Sequence, residues 1–197
     1  MIKKLLRSVR EYKRDSLLTP LFVAAEVLME VLIPYLMAGI IDVGLKQADM
    51  SYTVRMGIFL VIAASFSLAF GALSGKYAAK ASAGFAKNLR KDLFYRIQNF
   101  SFANIDRFST ESLVTRLTTN VTNVQNAYQM IIRILIRGPL MLIFALVMAM
   151  NISVQLSLVF LAAIPILGVG LIVIAWKAHP YFEKVFRTYD DLNGVVR

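Results

Sequence analysis

Cysteine is absent from this chain, and histidine and tryptophan each occur once, as His179 and Trp176. The chain therefore forms no disulfide, and it lacks the clustered cysteines and histidines that hold structural zinc. Acidic residues are also scarce, 12 against 22 lysines and arginines, which gives a formal net charge of +10. No side chains form an evident nucleophile–base arrangement, so we predict no catalytic, cofactor-binding or metal-binding residues in this chain.

Apolar residues, by contrast, are abundant and occur in long runs. The chain is 58% hydrophobic with a mean hydropathy of +0.63, whereas soluble domains are about 45–50% apolar. A membrane-spanning helix needs about 20 mostly apolar residues, and the runs here reach that length. The positive charges flank these runs, so we favour a membrane protein with lipid neighbours over a soluble nucleic-acid binder. The run that starts at Leu17 is too long for a cleaved signal sequence.

Four such runs predict an all-α membrane protein with four long transmembrane helices that continue into cytoplasmic extensions. The predicted spans are residues 16–41, 53–75 with a helical extension to 99, 111–150, and 154–176 with an extension to 197. Residues 1–15 have apolar positions at helical spacing among six basic residues, which predicts an amphipathic elbow helix at the interface; a disordered basic tail is the alternative. Pro34 and the pair Gly138-Pro139 predict bends.

The distribution of basic residues predicts the orientation. Eighteen lysines and arginines lie before the first span, between the second and third, or after the fourth, and only Lys46 and Arg55 lie in the two opposite loops. Because basic residues accumulate on the cytoplasmic side, we predict a multi-pass membrane protein with a cytoplasmic N-terminus. The long helical extensions then reach toward a partner in the cytoplasm.

Four charged residues lie within the spans: Glu26 and Glu30 in the first, Arg133 and Arg137 in the third. At about 1.5 Å per residue, these acids lie about 22 and 17 Å from the outer end of their helix, and Arg133 and Arg137 about 26 and 20 Å from theirs. The matching depths predict at least one Glu–Arg pair between these spans. The alternatives are that Arg133 extends to the headgroups, that the acids face a central cavity, or that the charges contact a substrate.

Small residues recur every four positions along the second helix, and they predict a close helix contact. They are Gly71, Gly75, Ala79 and Ala83. The run GALSGKY at 71–77 is one residue too short for a phosphate-binding loop and has Tyr77 where Ser or Thr would bind magnesium, so we reject that reading.

The turn after the second helix combines aromatic and charged residues at the tip of two long helices. We predict that it docks on another domain, although its phenylalanines could instead close a local core. The residues concerned are Phe102, Asn104, Ile105, Asp106, Arg107 and Phe108.

Several segments resemble ATP-binding-cassette exporters, and most closely the subunits of heterodimeric bacterial multidrug exporters. They are residues 108–121 (FSTESLVTRLTTNV), 133–139 (RILIRGP), 88–94 (NLRKDLF) and 190–197 (DDLNGVVR). The likeness covers essentially the whole chain, in order.

This resemblance implies the N-terminal part of a six-span membrane domain, with Phe102 to Ser109 as a coupling helix that contacts nucleotide-binding domains. It further implies a second exporter subunit, a hydrophobic or amphipathic substrate of multidrug or lipid type, and ATP with magnesium bound in a domain absent from this chain. The full-length protein would then be an ATP-hydrolysing translocase. The family commonly has Gly near Glu111 and Asp at Asn120, and this chain has neither. The alternative function is a stand-alone four-span scaffold or regulator without transport activity.

Overall fold

The structure is a computed structural model that describes Leu5 and residues 7–100 and 110–195. Its side chains are described as far as residue 178, except at positions 110 and 156. Within this part of the chain every regular element is a helix. Four of the helices are long and apolar enough to cross a membrane: Arg7–Leu45, Met50–Gln98, Glu111–Ile152 and Ser157–Ala178. The predicted all-α membrane fold is therefore confirmed.

The first helix, α1 (Lys13–Gly39), follows a short 3₁₀ segment, Arg7–Tyr12, that is interrupted at Arg10. Asp15 in the first turn of α1 suits the positive end of the helix dipole. The helix contains Pro20 and Pro34 and continues as a π-helix through Ile40–Leu45. The described part of the predicted elbow is thus a 3₁₀ segment that packs on the second helix, with Ser8 and Val9 buried.

The second helix, α2 (Met50–Gln98), is a single element of 49 residues. The side chain of Asp49 caps it by accepting a hydrogen bond of 2.9 Å from the backbone N–H of Tyr52. The helix contains no proline, so nothing interrupts its hydrogen-bond ladder. At 1.5 Å per residue it is about 70 Å long, more than twice the hydrocarbon thickness of a bilayer.

The third helix, Glu111–Ile152, changes its winding twice. Its α-helical stretches are α3 (Thr110–Thr115), α4 (Val121–Met130) and α5 (Ile136–Ile152), separated by π-helical segments at Arg116–Asn120 and Ile131–Leu135. Pro139 lies in the first turn of α5 and has no N–H to offer the carbonyl four residues earlier. The π-helical segment just before this proline is consistent with that missing donor. Segments of π-helix are also frequent at functional positions.

The chain divides into two compact units, residues 1–145 and 146–197. The first contains α1, α2 and most of the third helix. The second contains the end of α5 and the helix α6 (Val154–Val195). Apolar side chains are largely exposed along Ser157–Ala178, as expected for a helix that meets lipid or further spans.

The buried core of the first unit lies where α2 meets the 3₁₀ segment and α4. Phe85 stacks on Tyr128 with 4.6 Å between ring centroids. The buried members of this core are Val9, Phe85, Ala86, Leu89 and Val121, with a neighbouring group of Ala78, Ala81 and Ile132.

The structure corrects the predicted stripe of small residues on α2. Gly71 and Gly75 do face neighbouring side chains, but Ala79 and Ala83 are exposed. The buried face at that level contains Ala78, Ala81 and Ser82 among others. A spacing of four residues turns by about 40° per step in an α-helix, so Ala83 lies about 120° around the helix from Gly71.

Candidate functional site

An ion-pair cluster joins α1 to α5 inside the apolar part of the helices. One guanidinium nitrogen of Arg137 donates to Glu26 Oε1 at 2.7 Å. Its other terminal nitrogen donates to both carboxylate oxygens of Glu30, at 2.5 and 2.8 Å. Glu26 and Glu30 are one turn apart on α1, so a single arginine reaches both. The pairing expected from matching depths is present, and it uses Arg137.

Glu26 is the most enclosed member of this cluster, because α2 covers it. Its side chain is 9% exposed, against 28% for Glu30 and 35% for Arg137. Ser74 Oγ lies 3.2 Å from Glu26 Oε2 and donates a hydrogen bond to it. A Cβ atom at Gly71 would lie only 3.0 Å from Glu26 Oε1, so the absence of a side chain there leaves room for the carboxylate. Three helices therefore position one buried charge.

Arg133 lies one turn before Arg137 but has a different environment. Its guanidinium lies over Gly75 of α2, 3.5 Å from where a Cβ atom would be. Among the described residues it forms no ion pair. With Arg133 included, two arginines balance two glutamates, so the four charges sum to zero inside the membrane segment. Such balance lowers the cost of placing charge in an apolar medium.

A cavity of about 460 Å³ opens along this face of the third helix. Polar residues at helical spacing contribute to its wall together with apolar ones. The lining residues are Asn126, Gln129, Met130, Arg133, Ile134 and Arg137. The cavity thus offers amide groups and the guanidinium of Arg133 beside apolar side chains, a combination that suits an amphipathic ligand.

A second polar network fastens the polar end of α1 to α2 and α4. The hydroxyl groups of Ser16 and Tyr128 are 2.7 Å apart, and Lys80 Nζ donates to Asp15 at 3.2 Å. Ser82 Oγ donates to Gln129 Oε1 at 3.2 Å. Because these bonds link all three helices, they hold the wall of the cavity in place.

The predicted coupling segment lies outside the described residues. This applies to every residue proposed for it, Phe102, Asn104, Ile105, Asp106, Arg107 and Phe108. Its contacts therefore stay a prediction.

Comparison with known sequences assigns the fold to a family. The sequence family described as the ABC transporter transmembrane region matches residues 17–197, almost the whole chain. The chain belongs to this family. The membership expected from the sequence motifs is thereby confirmed, and the ion-pair cluster and the cavity lie within the matched region.

Curated ABC transporter proteins are similar along the whole chain. An uncharacterized ABC transporter ATP-binding protein of Bacillus subtilis (strain 168) is 32% identical over 196 residues, which cover 100% of this chain and 34% of that protein. A protein of the same description from Mycobacterium bovis is 27% identical over 198 residues, with 100% and 34% covered. The chain thus spans about a third of the length of these relatives.

A third relative has a function in its name. The ATP-dependent lipid A-core flippase of Pseudoalteromonas translucida is 26% identical over 195 residues, 98% of this chain and 33% of the flippase.

Several residues of this ABC transmembrane site were not singled out from the sequence. Ser74 donates a hydrogen bond to Glu26, while Asn126 and Gln129 line the cavity. Gln129 and Asn126 precede Arg133 by four and seven residues, so helical spacing alone places them on its face. Ser74 offered no comparable signal, because its role depends on how α2 is rotated against α1.

Proposed function

We propose that this chain forms part of the membrane domain of an ATP-driven exporter. One observation supports this best: the chain belongs to the ABC transporter transmembrane family and carries helices far longer than a bilayer requires. At 49 residues, α2 extends well past the hydrocarbon layer. A helix of that length is suited to carrying movement between a membrane pathway and a domain outside it.

In this proposal the cavity along the third helix is part of the substrate pathway. Arg133, which forms no ion pair with the residues that the structure describes, supplies a positive charge, and Met130 and Ile134 supply apolar contact. Arg137 is occupied by Glu26 and Glu30, so its role is to hold α1 against α5. The substrate is hydrophobic or amphipathic, of the multidrug or lipid type; the similarity to a lipid A-core flippase supports the lipid type.

The partners follow from the same proposal. Nucleotide-binding domains, where ATP and magnesium bind, contact the coupling segment 102–109, and a second subunit completes the pathway, as a heterodimer. The polar ends of α2 and the third helix then face the cytoplasm of a bacterium, together with the N-terminus.

The test is reconstitution of the protein with its nucleotide-binding domains in lipid vesicles. ATP-driven movement of two probes is measured, a fluorescent phospholipid and a cationic amphiphilic dye. Arg133→Gln removes the unpaired charge in the cavity. Arg55→Gln is the matched control, because Arg55 is exposed near the start of α2 and does not line the cavity.

We expect ATP-dependent movement of at least one probe, reduced severalfold by Arg133→Gln and unchanged by Arg55→Gln. If neither probe moves or alters ATP hydrolysis, the exporter proposal is wrong and the scaffold or regulator without transport activity takes its place. Movement that is the same without ATP also contradicts an ATP-driven exporter. If the two variants behave alike, Arg133 does not face the pathway.

A further inference from the structure

A second cavity lies away from the proposed pathway, between the N-terminal 3₁₀ segment and the polar half of α2. Its volume is about 390 Å³. Most of its lining side chains are hydrogen-bond donors, three of them arginines. The lining residues are Arg7, Ser8, Arg10, Asp92, Tyr95 and Arg96. None of them belongs to the ion-pair cluster or to the wall of the pathway.

Asp92 organises this cavity. Its carboxylate accepts one hydrogen bond from Ser8 Oγ at 3.1 Å and another from Arg10 at 2.6 Å. Asn88, one turn earlier on α2, donates to the backbone carbonyl of Ser8 at 3.0 Å. Arg10 has φ of 40°, a left-handed conformation that residues with a side chain seldom adopt. The contacts of Ser8 and Arg10 with α2 hold the segment in this unfavourable shape.

The pairing of Arg10 with Asp92 leaves the cavity with excess positive charge. Within the described part of the chain, Arg7 and Arg96 form no ion pair. Lys91 adds a further charge, since its Nζ lies 5.8 Å from the centre of the Tyr95 ring that lines the cavity. The guanidinium groups of Arg7 and Arg96 and the phenol hydroxyl of Tyr95 match an anion with several oxygens, and arginine binds phosphate through paired N–H groups.

The position of the cavity allows ligands that carry a phosphate group to reach it. The 3₁₀ segment ends only a few residues before Leu17, where the apolar run of α1 begins. Basic pockets beside the ends of membrane helices bind anionic lipid headgroups, and small soluble phosphates reach the same level from water. Both ligands present the same chemistry, a phosphate group.

We propose that this N-terminal cavity binds a phosphate group, either of an anionic lipid or of a soluble phosphate. Arg7 and Arg96 contact the phosphate oxygens, while Asp92 keeps Arg10 and Ser8 in place at the edge of the site. Binding bridges the 3₁₀ segment and α2, and so fastens the N-terminal segment to the second helix. This proposal depends on the cavity alone and does not require that the protein transports anything.

The experiment uses the purified protein, stripped of lipid in a neutral detergent. Phosphatidylglycerol is titrated and counted by native mass spectrometry, with phosphatidylcholine as the lipid of zero net charge. Inorganic phosphate is titrated separately and followed by thermal shift. The double variant Arg7→Gln/Arg96→Gln is compared with Lys13→Gln/Arg14→Gln, which removes the same charge from neighbouring positions that do not line the cavity.

We expect the Arg7→Gln/Arg96→Gln protein to bind phosphatidylglycerol or phosphate about tenfold more weakly than the parent. The control pair should lose less than about threefold. The melting temperature of the Arg7→Gln/Arg96→Gln protein without ligand should match that of the parent, because neither arginine forms an ion pair with any described residue. Loss of binding for the lipid alone assigns a headgroup site, and loss for inorganic phosphate alone assigns a soluble phosphate. Loss for both assigns a site that accepts the phosphate group from either source. Equal loss in both double variants, or no loss in either, overturns the proposal.

Discussion

Replacing Arg137 with methionine tests the ion-pair cluster most directly. Methionine preserves most of the length and the apolar stem, but it removes three hydrogen bonds and, within the described part of the chain, the only charge paired with Glu26 and Glu30. The two acids then lie one turn apart on α1 without a counter-charge. We expect the protein to be destabilised, and α1 to separate more readily from the third helix.

The expected loss follows from the exposure of the groups. Breaking a fully buried ion pair costs about 3–5 kcal/mol. Here the side chain of Arg137 is 35% exposed and that of Glu30 is 28% exposed, while Glu26 is 9% exposed. Solvent or headgroups screen part of the unpaired charge, so we place the loss at about 2–3 kcal/mol. In a protein with Glu26→Gln and Glu30→Gln, Arg137→Met should lower the free energy of unfolding by less than about 1 kcal/mol. Both acids are then neutral amides, so the substitution leaves no carboxylate at these positions without a counter-charge.

The assay is equilibrium unfolding of the purified protein in mixed detergent micelles, followed by circular dichroism. Arg133→Met is the matched control, because it removes the same side chain one turn away, where no ion pair is described. It should cost less than half as much as Arg137→Met. If the two arginine variants are equally destabilised, or if Arg137→Met costs the same with and without the two acids, the ionic tie does not stabilise the fold.

Two further predictions concern the N-terminal packing and the orientation. Gly84→Ala should destabilise the protein by about 1–3 kcal/mol in the same unfolding assay, because a methyl group there would overlap the Tyr12 ring. Gly57→Ala, where nothing lies within 4 Å, should have little effect, and Tyr12→Ala should relieve the Gly84→Ala defect. The absence of cysteine allows a clean labelling test: Lys46→Cys should react with a membrane-impermeant maleimide in intact cells, and Lys91→Cys only after lysis. The reverse pattern would overturn the predicted cytoplasmic N-terminus.

The overall shape of the first unit follows from simple energetic requirements. A run of about 20 apolar residues is stable only in a bilayer or a large core, so the spans could be located from composition. The helix between Met50 and Gln98 contains no proline, and so its continuation past the membrane was also predictable. Helical rise is constant, which is why Glu26 and Arg137 could be matched in depth before their contact was seen.

The sequence by itself determined positions along each helix, whereas the tertiary structure decided rotation around it. Arg133 and Arg137 lie about one turn apart on the third helix, and only the packing of that helix against α1 and α2 shows that Arg137 pairs with both acids while Arg133 lies over Gly75. Rotation likewise placed Ala79 and Ala83 outside the packed face. The physical reason is that the bilayer constrains depth through the cost of misplaced charge, but direction depends on side-chain contacts between helices far apart in the chain.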